Sequence, residues 1–347
     1  MKRRSFLQAT AAASALAMVA PAATSRVRAA EAVDIEAAKK EGEVSWYTAH
    51  FDTQTAEALG NGFMKQYPGI KATVFRSTAQ VVYQRLSQDM RAGVAECDVF
   101  SSTDIGHYEH LKPMGVFLKW TPPNAGGLIA AFKGIDPDGA YFVTSTGLIC
   151  ITYNKTKVKE DELPKSWPDL LDPKWKNQIS VGHPGFSGYV GTWVVEMRKL
   201  YGWEYFEKLK ANNPQIGRSI NDTVTMLNSG ERTIAAGPES LTLETAARGN
   251  PLGVVYPSDG ALLMISPSAI MKNTRRPNAS KLFLDYLMST EGSKVLVEHF
   301  QDPMVPGVAP APGAKSLAEV KTIRPTVDEI TSGIPEVIKA WRETFGV

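Results

Sequence analysis

From Glu43 onward the chain alternates short β-rich runs with apolar positions spaced three and four apart. Residues 44–48 (Val-Ser-Trp-Tyr-Thr) read as a strand. Ala56, Leu59, Phe63 and Tyr67 then place one apolar face on a helix, which Pro68 and Gly69 stop. Residues 71–75 form a second strand; Val82, Leu86 and Met90 mark a second helix ending near Gly93, and 97–101 is a third strand. Strands alternating with helices of this length predict βαβ units and a mostly parallel sheet. A second set follows: a long β-rich stretch at 141–153, a strand at 178–181, and a helix face from Val190, Trp193, Met197 and Leu200. A further helix begins at Trp203, strands are expected at 233–236, 253–256 and 262–265, and helical spacing returns at 279–288, 292–300 and 326–345. The Pro- and Ala-rich segment 303–312 reads as an extended surface stretch.

Composition adds exclusions. The 347 residues are 43% hydrophobic and 21% charged, an ordinary globular balance with length for two cores. Of the 38 basic residues, five (Lys2, Arg3, Arg4, Arg26 and Arg28) precede residue 30, where no acid occurs; 33 then face 36 acids over the remainder. That balance leaves no polycationic surface for nucleic acid or anionic lipid. Two cysteines exclude a disulfide scaffold or a multi-cysteine metal centre. Cys97 and Cys150, both in apolar strands, are expected as buried free thiols, with a periplasmic disulfide as the other possibility.

The first residues have the form of an export signal. Lys2-Arg3-Arg4-Ser5-Phe6-Leu7 precedes a small apolar run at 9–23 and then Val27-Arg28-Ala29. The adjacent arginines resemble a twin-arginine signal, with cleavage expected after Ala29. The run of 15 residues is short of the roughly 20 that span a bilayer. There is no lipobox cysteine, and no later segment offers 18 uncharged apolar residues, so the mature protein is expected to be soluble and periplasmic.

Several positions carry candidate chemistry. Pro184-Gly185-Phe186-Ser187-Gly188-Tyr189 leads into the helix at Val190, with Ser187 as a good N-cap. The free N–H groups of Gly188 and Tyr189, with the helix dipole, suit an anion, although an ordinary capped helix would look the same. Gly185-Phe186-Ser187-Gly188-Tyr189 also approaches the G-x-S-x-G hydrolase elbow but fails at its last position. Thr48 and His50 end the first strand, Ser77 and Thr78 the second, and Ser101, Ser102 and Thr103 the third, where ligand sites of open α/β sheets form. Their hydroxyls suit carboxylate or phosphate oxygens, or helix capping by Ser77 or Thr78; a lone histidine such as His50 is as often structural. No H-E-x-x-H, Walker loop or C-x-x-C occurs.

Residues 166–179 (Ser-Trp-Pro-Asp-Leu-Leu-Asp-Pro-Lys-Trp-Lys-Asn-Gln-Ile) resemble a signature stretch of bacterial extracellular solute-binding proteins of the ferric-ion-binding type. Ser77-Thr78, Asp98-Val99-Phe100-Ser101, Tyr153-Asn154-Lys155, Ser266-Pro267-Ser268-Ala269-Ile270 and the helical run 279–289 follow in that group's order, so the resemblance spans 31–347. It implies an α/β, two-lobed type II periplasmic-binding-protein fold with two crossover strands and a ligand cleft between the lobes. Lobe one is expected at 31–138 plus 258–315, and lobe two at 139–257 plus 316–347. The implied role is the substrate-binding subunit of an ABC importer, a monomer with a small-molecule ligand and a membrane permease as partners, and neither enzyme activity nor a cofactor. Members place a ligand contact at the position of His50 and an anion at that of Ser187. Ferric-ion binders carry adjacent tyrosines after the strand at 233–236, whereas this chain has Ala236-Gly237-Pro238-Glu239-Ser240-Leu241-Thr242. One histidine and one carboxylate select a metal poorly, so no metal site is expected. Glu239 then reads as a partner for a ligand ammonium or hydroxyl, or as a first-turn acid of its own helix. Ser240 joins it as a candidate contact, and Tyr256 is either part of a hinge turn or reaches the cleft. The expected cargo is a small anionic organic solute: a phosphate ester, phosphonate or carboxylate. Ferric ion with a synergistic anion is the alternative, and a periplasmic hydrolase or transferase is the alternative of another class.

Overall fold

The computed structural model describes residues 32–347; the predicted export signal at 1–29 lies outside them. In chain order the elements are α1 (Ile35–Glu41), β1 (Glu43–Thr48), α2 (Thr53–Gln66), β2 (Lys71–Arg76), α3 (Ala79–Ala92), β3 (Val99–Ser101) and α4 (Gly106–Leu111). Next come β4 (Phe142–Asn154), β5 (Ile179–Val181), α5 (Gly188–Tyr201), α6 (Glu204–Ala211), β6 (Gln215–Ile216), α7 (Asp222–Asn228), β7 (Ile234–Pro238) and α8 (Glu239–Ala247). The chain ends with β8 (Leu252–Val255), β9 (Ala261–Ile270), α9 (Pro277–Leu287), α10 (Thr290–Glu298), β10 (Thr322–Ile323) and α11 (Val327–Phe345).

The sheet runs β2-β1-β3-β9-β4-β7-β5-β6, with β8 beside β4 and β10 beside β9. β2, β1 and β3 are mutually parallel, as are β7, β5 and β6, which the βαβ spacing predicts. β4 and β9 are antiparallel to each other and to their other principal neighbours, and both are buried almost throughout, so they join the two parallel halves. These are the two crossover strands of a two-lobed fold. β9 runs on to Ile270, beyond the run expected at 262–265, because Ser266-Pro267-Ser268 interrupts the apolar pattern without ending the strand. Pro267 is accommodated beside a register shift between Val143 and Ser145 of β4, the bulge position where a strand tolerates a missing donor.

Each half has an aromatic nucleus. Trp46, Phe63, Phe283 and Tyr286 pack edge to face under β1, bringing α2 and α9 together. Trp193, Tyr205, Phe206 and Trp341 do the same among α5, α6 and α11. Gly191 and Gly333 let α5 and α11 approach closely: a Cβ at Gly333 would lie 2.9 Å from Val195. The segment at 303–312 differs from expectation, since Pro303, Met304 and Val305 are buried. Ile129 N donates to the Met304 carbonyl (2.9 Å), and Met304 N donates to Ser293 Oγ (3.1 Å), so this irregular stretch is core. Cys97 and Cys150 are both buried free thiols. Among the described residues, no helix is long and apolar enough to cross a membrane.

Candidate functional site

The C-terminal ends of β1, β2, β3, β5 and β7 open onto one cleft, as expected for parallel strands feeding helices. It encloses about 590 Å³ of atom-free space continuous with solvent. Ala49, Phe51 and Asp52 follow β1; Arg76, Thr78 and Ala79 end β2 and start α3; Thr103 follows β3. From the other half come Phe186, Ser187 and Tyr189 at the start of α5, Ser219, Ile220 and Asn221 before α7, and Pro238, Ser240 and Leu241 at the start of α8; Gln301 completes the lining.

Several helix N-termini therefore meet here, and those of α3, α5 and α8 are not closed by a capping side chain. Ser187 occupies the N-cap position of α5 and Thr78 that of α3, but neither makes a capping hydrogen bond. The cap expected from sequence is present by position only. Thr78 Oγ1 is buried without a partner. Pro238, the N-cap of α8, has no polar side chain to offer. Unsatisfied N–H groups and the positive ends of three dipoles thus face the same space. Asp52, by contrast, caps α2 by accepting from Thr55 N at 2.7 Å.

Arg76 supplies the full positive charge. Its Nε and Nη2 both donate to the Phe51 carbonyl, at 2.9 and 2.6 Å, which fixes the guanidinium plane against the cleft wall. Burial lowers its proton affinity, yet a guanidinium stays charged at any physiological pH. Phe51 has φ of 61°, the left-handed region that a bulky residue rarely occupies. The strain lies in the residue that presents this carbonyl.

The remaining sequence candidates lie around the cleft without lining it. Thr48 is buried and its hydroxyl accepts from His50 N at 3.0 Å. His50 is buried with Nε2 3.3 Å from the Ser102 carbonyl and Nδ1 unpartnered; burial lowers its pKa to about 3, so the ring is neutral. Ser77 is half-buried, its N–H bonded to the Thr48 carbonyl at 3.1 Å. Ser101 points into the sheet, accepting from Trp46 Nε1 (2.7 Å) and sharing a hydrogen bond with Ser268 (2.5 Å). Ser102 Oγ lies 2.8 Å from His107 Nδ1, and His107 Nε2 lies 3.5 Å from Asp104 Oδ2. This Ser-His-Asp cluster is not arranged as a hydrolase. Ser102 is wholly buried, its hydroxyl accepts from Asp104 N, and the His107 ring is stacked 4.1 Å from that of Tyr83.

Gly188 packs on the opposite wall: a Cβ there would lie 2.3 Å from the Thr103 carbonyl oxygen. Tyr189 runs from α5 toward the crossover strands, and its hydroxyl occupies the space a Cβ at Gly147 would need. Glu239, the first residue of α8, is buried and accepts a hydrogen bond from the Tyr256 hydroxyl, which in turn accepts from Lys315 N at 3.1 Å. Burial raises the Glu239 carboxyl to about 7. Among the described residues, no group of three or more histidine, cysteine, aspartate or glutamate side chains is arranged to hold a metal ion.

Sequence reasoning passed over Arg76, Asp52, Asn221 and Gln301. Arg76 carried a usable signal: a cation at the C-terminal end of a predicted parallel strand, directly before a hydroxyl pair. Asn221 and Gln301 carried none, since each enters the cleft from a turn.

A two-lobed α/β fold with a polar cleft between its halves defines a ligand-capturing protein. The family described as "Bacterial extracellular solute-binding protein" matches residues 97–332, about two thirds of the chain. The chain belongs to that family. A periplasmic protein of Salmonella typhimurium, provisionally named for binding 2-aminoethylphosphonate, is 23% identical over 320 residues, covering 87% of this chain and 88% of that protein. Iron uptake protein A1 of Synechocystis is 23% identical over 295 residues, covering 79% and 80%. Among solved structures, the periplasmic binding protein AfuA from Actinobacillus pleuropneumoniae, with fructose-6-phosphate bound, superposes with a TM-score of 0.79 at 21% identity, covering 88% of this chain and 99% of that one. At this identity the superposition shows the fold alone.

Proposed function

We propose that this chain is the periplasmic substrate-binding subunit of an ABC importer, which captures a small anionic organic solute by closing its lobes and docks on a membrane permease. The observation that carries the reading is the convergence of the Arg76 guanidinium with the uncapped N-termini of α3 and α5, one from each wall. Such a site attracts a carboxylate, phosphonate or phosphate ester, and a ligand that touches both walls selects the closed form. No bond is made or broken in this role. Thr78, Thr103, Ser187 and Ser240 supply hydroxyls beside Arg76, while Asn221 and Gln301 meet the rest of the solute. The relatives named for a phosphonate and crystallised with a sugar phosphate support an anionic cargo.

In this reading lobe one comprises 31–138 with 258–315, and lobe two 139–257 with 316–347; α11 packs most extensively on α5, which supports placing that helix with lobe two, and it also meets α4 of lobe one. The leader at 1–29 exports the folded chain by the twin-arginine route, and the mature protein acts as a monomer. Ferric ion fits the lining less well. Tyr189 is the one phenol among the described lining residues, and burial holds its pKa above the ordinary tyrosine value.

The test is calorimetric titration of the protein lacking residues 1–29 with glycerol 3-phosphate, 2-aminoethylphosphonate, citrate and ferric ion. Saturable binding of an organic anion at micromolar concentration or below, by a colourless protein, is expected. Binding of ferric ion alone, with a visible tyrosinate band, would overturn it.

A further inference from the structure

One face of α8 reaches across to the other half of the molecule. Leu241, Glu244 and, at the C-cap, Arg248 stand three and four apart, so they share a stripe on the helix. Leu241 lines the cleft. Arg248 donates from Nη2 to Glu244 Oε1 (2.5 Å) and to Gln54 Oε1 (3.0 Å), one N–H for each acceptor. Gln54 is the second residue of α2 and lies two positions after the cleft residue Asp52. In the assignment proposed above α2 belongs to lobe one and α8 to lobe two, so this hydrogen bond spans the lobes beside the cleft and joins positions 194 residues apart. Glu244 is 4% exposed, and its second oxygen is buried without a partner. Among the described residues, Arg248 is the one basic side chain within salt-bridge distance of it. A single guanidinium therefore compensates a buried carboxylate on its own helix and ties that helix to α2.

We propose that Arg248 and Gln54 form a latch beside the cleft that sets how long a captured solute is held. The inference rests on the reading of the cleft as an anion site closed by lobe movement. The Arg248–Glu244 pair is local to α8 and survives opening. The Gln54 contact does not, because its two ends ride on different lobes. A bond made only in the closed form stabilises that form alone, so it slows release and leaves association, which starts from the open form, nearly unchanged. Glu244 keeps Arg248 in place for the contact, and Arg248 in turn spares the closed form a buried carboxylate with no cation. The Arg248 side chain is 55% exposed, which holds the effect to a few-fold, the range of a solvent-screened contact.

The experiment uses the protein lacking residues 1–29, with glycerol 3-phosphate, 2-aminoethylphosphonate and citrate as probes. Closure is read by energy transfer between dyes on Lys65→Cys and Lys210→Cys, at exposed positions of α2 and α6; Cys97 and Cys150 are buried and stay unlabelled. Stopped-flow mixing then gives the rates. A probe that binds should raise the transfer, and Gln54→Ala should speed its release about threefold and Arg248→Ala about fivefold. Association should stay within about twofold, and the ligand-free melting temperature should not move. Gln54 is uncharged, so its effect separates the latch from the attraction of Arg248 for an anion. In the Arg248→Ala background Gln54→Ala should add nothing, since the two act through one bond. Closure with unchanged release in both variants, or effects that multiply in the double variant, would overturn the latch and leave the anion site standing. Absence of binding and closure with all three probes would remove the anion reading, and the latch with it.

Discussion

Replacing Gly188 with alanine tests whether the walls of the cleft move. Gly188 opens α5, and a Cβ placed there would lie 2.3 Å from the Thr103 oxygen, 2.4 Å from its carbonyl carbon and 2.5 Å from Asp104 N. All three are backbone atoms, so no side chain can swing aside. An ordinary contact begins at about 3.4 Å, and the walls must part by roughly 1 Å to admit the methyl group. Overpacking of this kind costs about 1–3 kcal/mol. If the lobes open, the whole cost falls on the closed form, because the open form separates α5 from the loop carrying Thr103. The ligand-free protein should melt at its normal temperature, or slightly higher, since alanine favours a helix more than glycine does. A cost borne by the closed state alone weakens binding by about 5- to 150-fold. Calorimetric titration with the tightest anion of the panel above, beside thermal melting of the ligand-free protein, reads both numbers. Unchanged affinity with a lowered melting temperature would refute the reasoning, because the contact would then persist whether or not ligand is bound.

Two further outcomes follow from the same geometry. Ser187→Asp puts a carboxylate at the uncapped N-terminus of α5, where it caps the helix and fills the anion position; binding of every anion should be lost while thermal stability is kept or raised, and calorimetry showing undiminished affinity would remove α5 from the site. Arg276→Ala strips a donor from Asp98, a fully buried carboxylate that also accepts from Ser45 N (2.8 Å) and Thr274 Oγ1 (2.5 Å), so urea denaturation should show a loss of about 1.5–3 kcal/mol with little change in ligand affinity.

The fold was legible because its signals are local. Three-and-four spacing marks α2, α3 and α5, Gly93 stops α3 in the left-handed conformation, and alternation with strands dictates the parallel halves. The short helices α1, α4 and α7 went unread because one or two turns carry too few apolar positions to set a period. In the site the division is sharper. Sequence indicated which strand ends face the cleft, but not which side chain at each end turns toward it. Of Ser101, Ser102 and Thr103, the first is taken by Trp46 and Ser268, the second by His107, and only the third reaches the lining. Those partners lie 55, 167 and 5 residues away, so periodicity within the strand cannot announce them. Arg76 shows the same dependence. Its role comes from the Phe51 carbonyl, 25 residues earlier, presented by a backbone conformation that nothing in the residue type suggests. A site whose chemistry is set by desolvation and by distant partners is visible in sequence as a set of polar strand ends, and acquires its charge only in three dimensions.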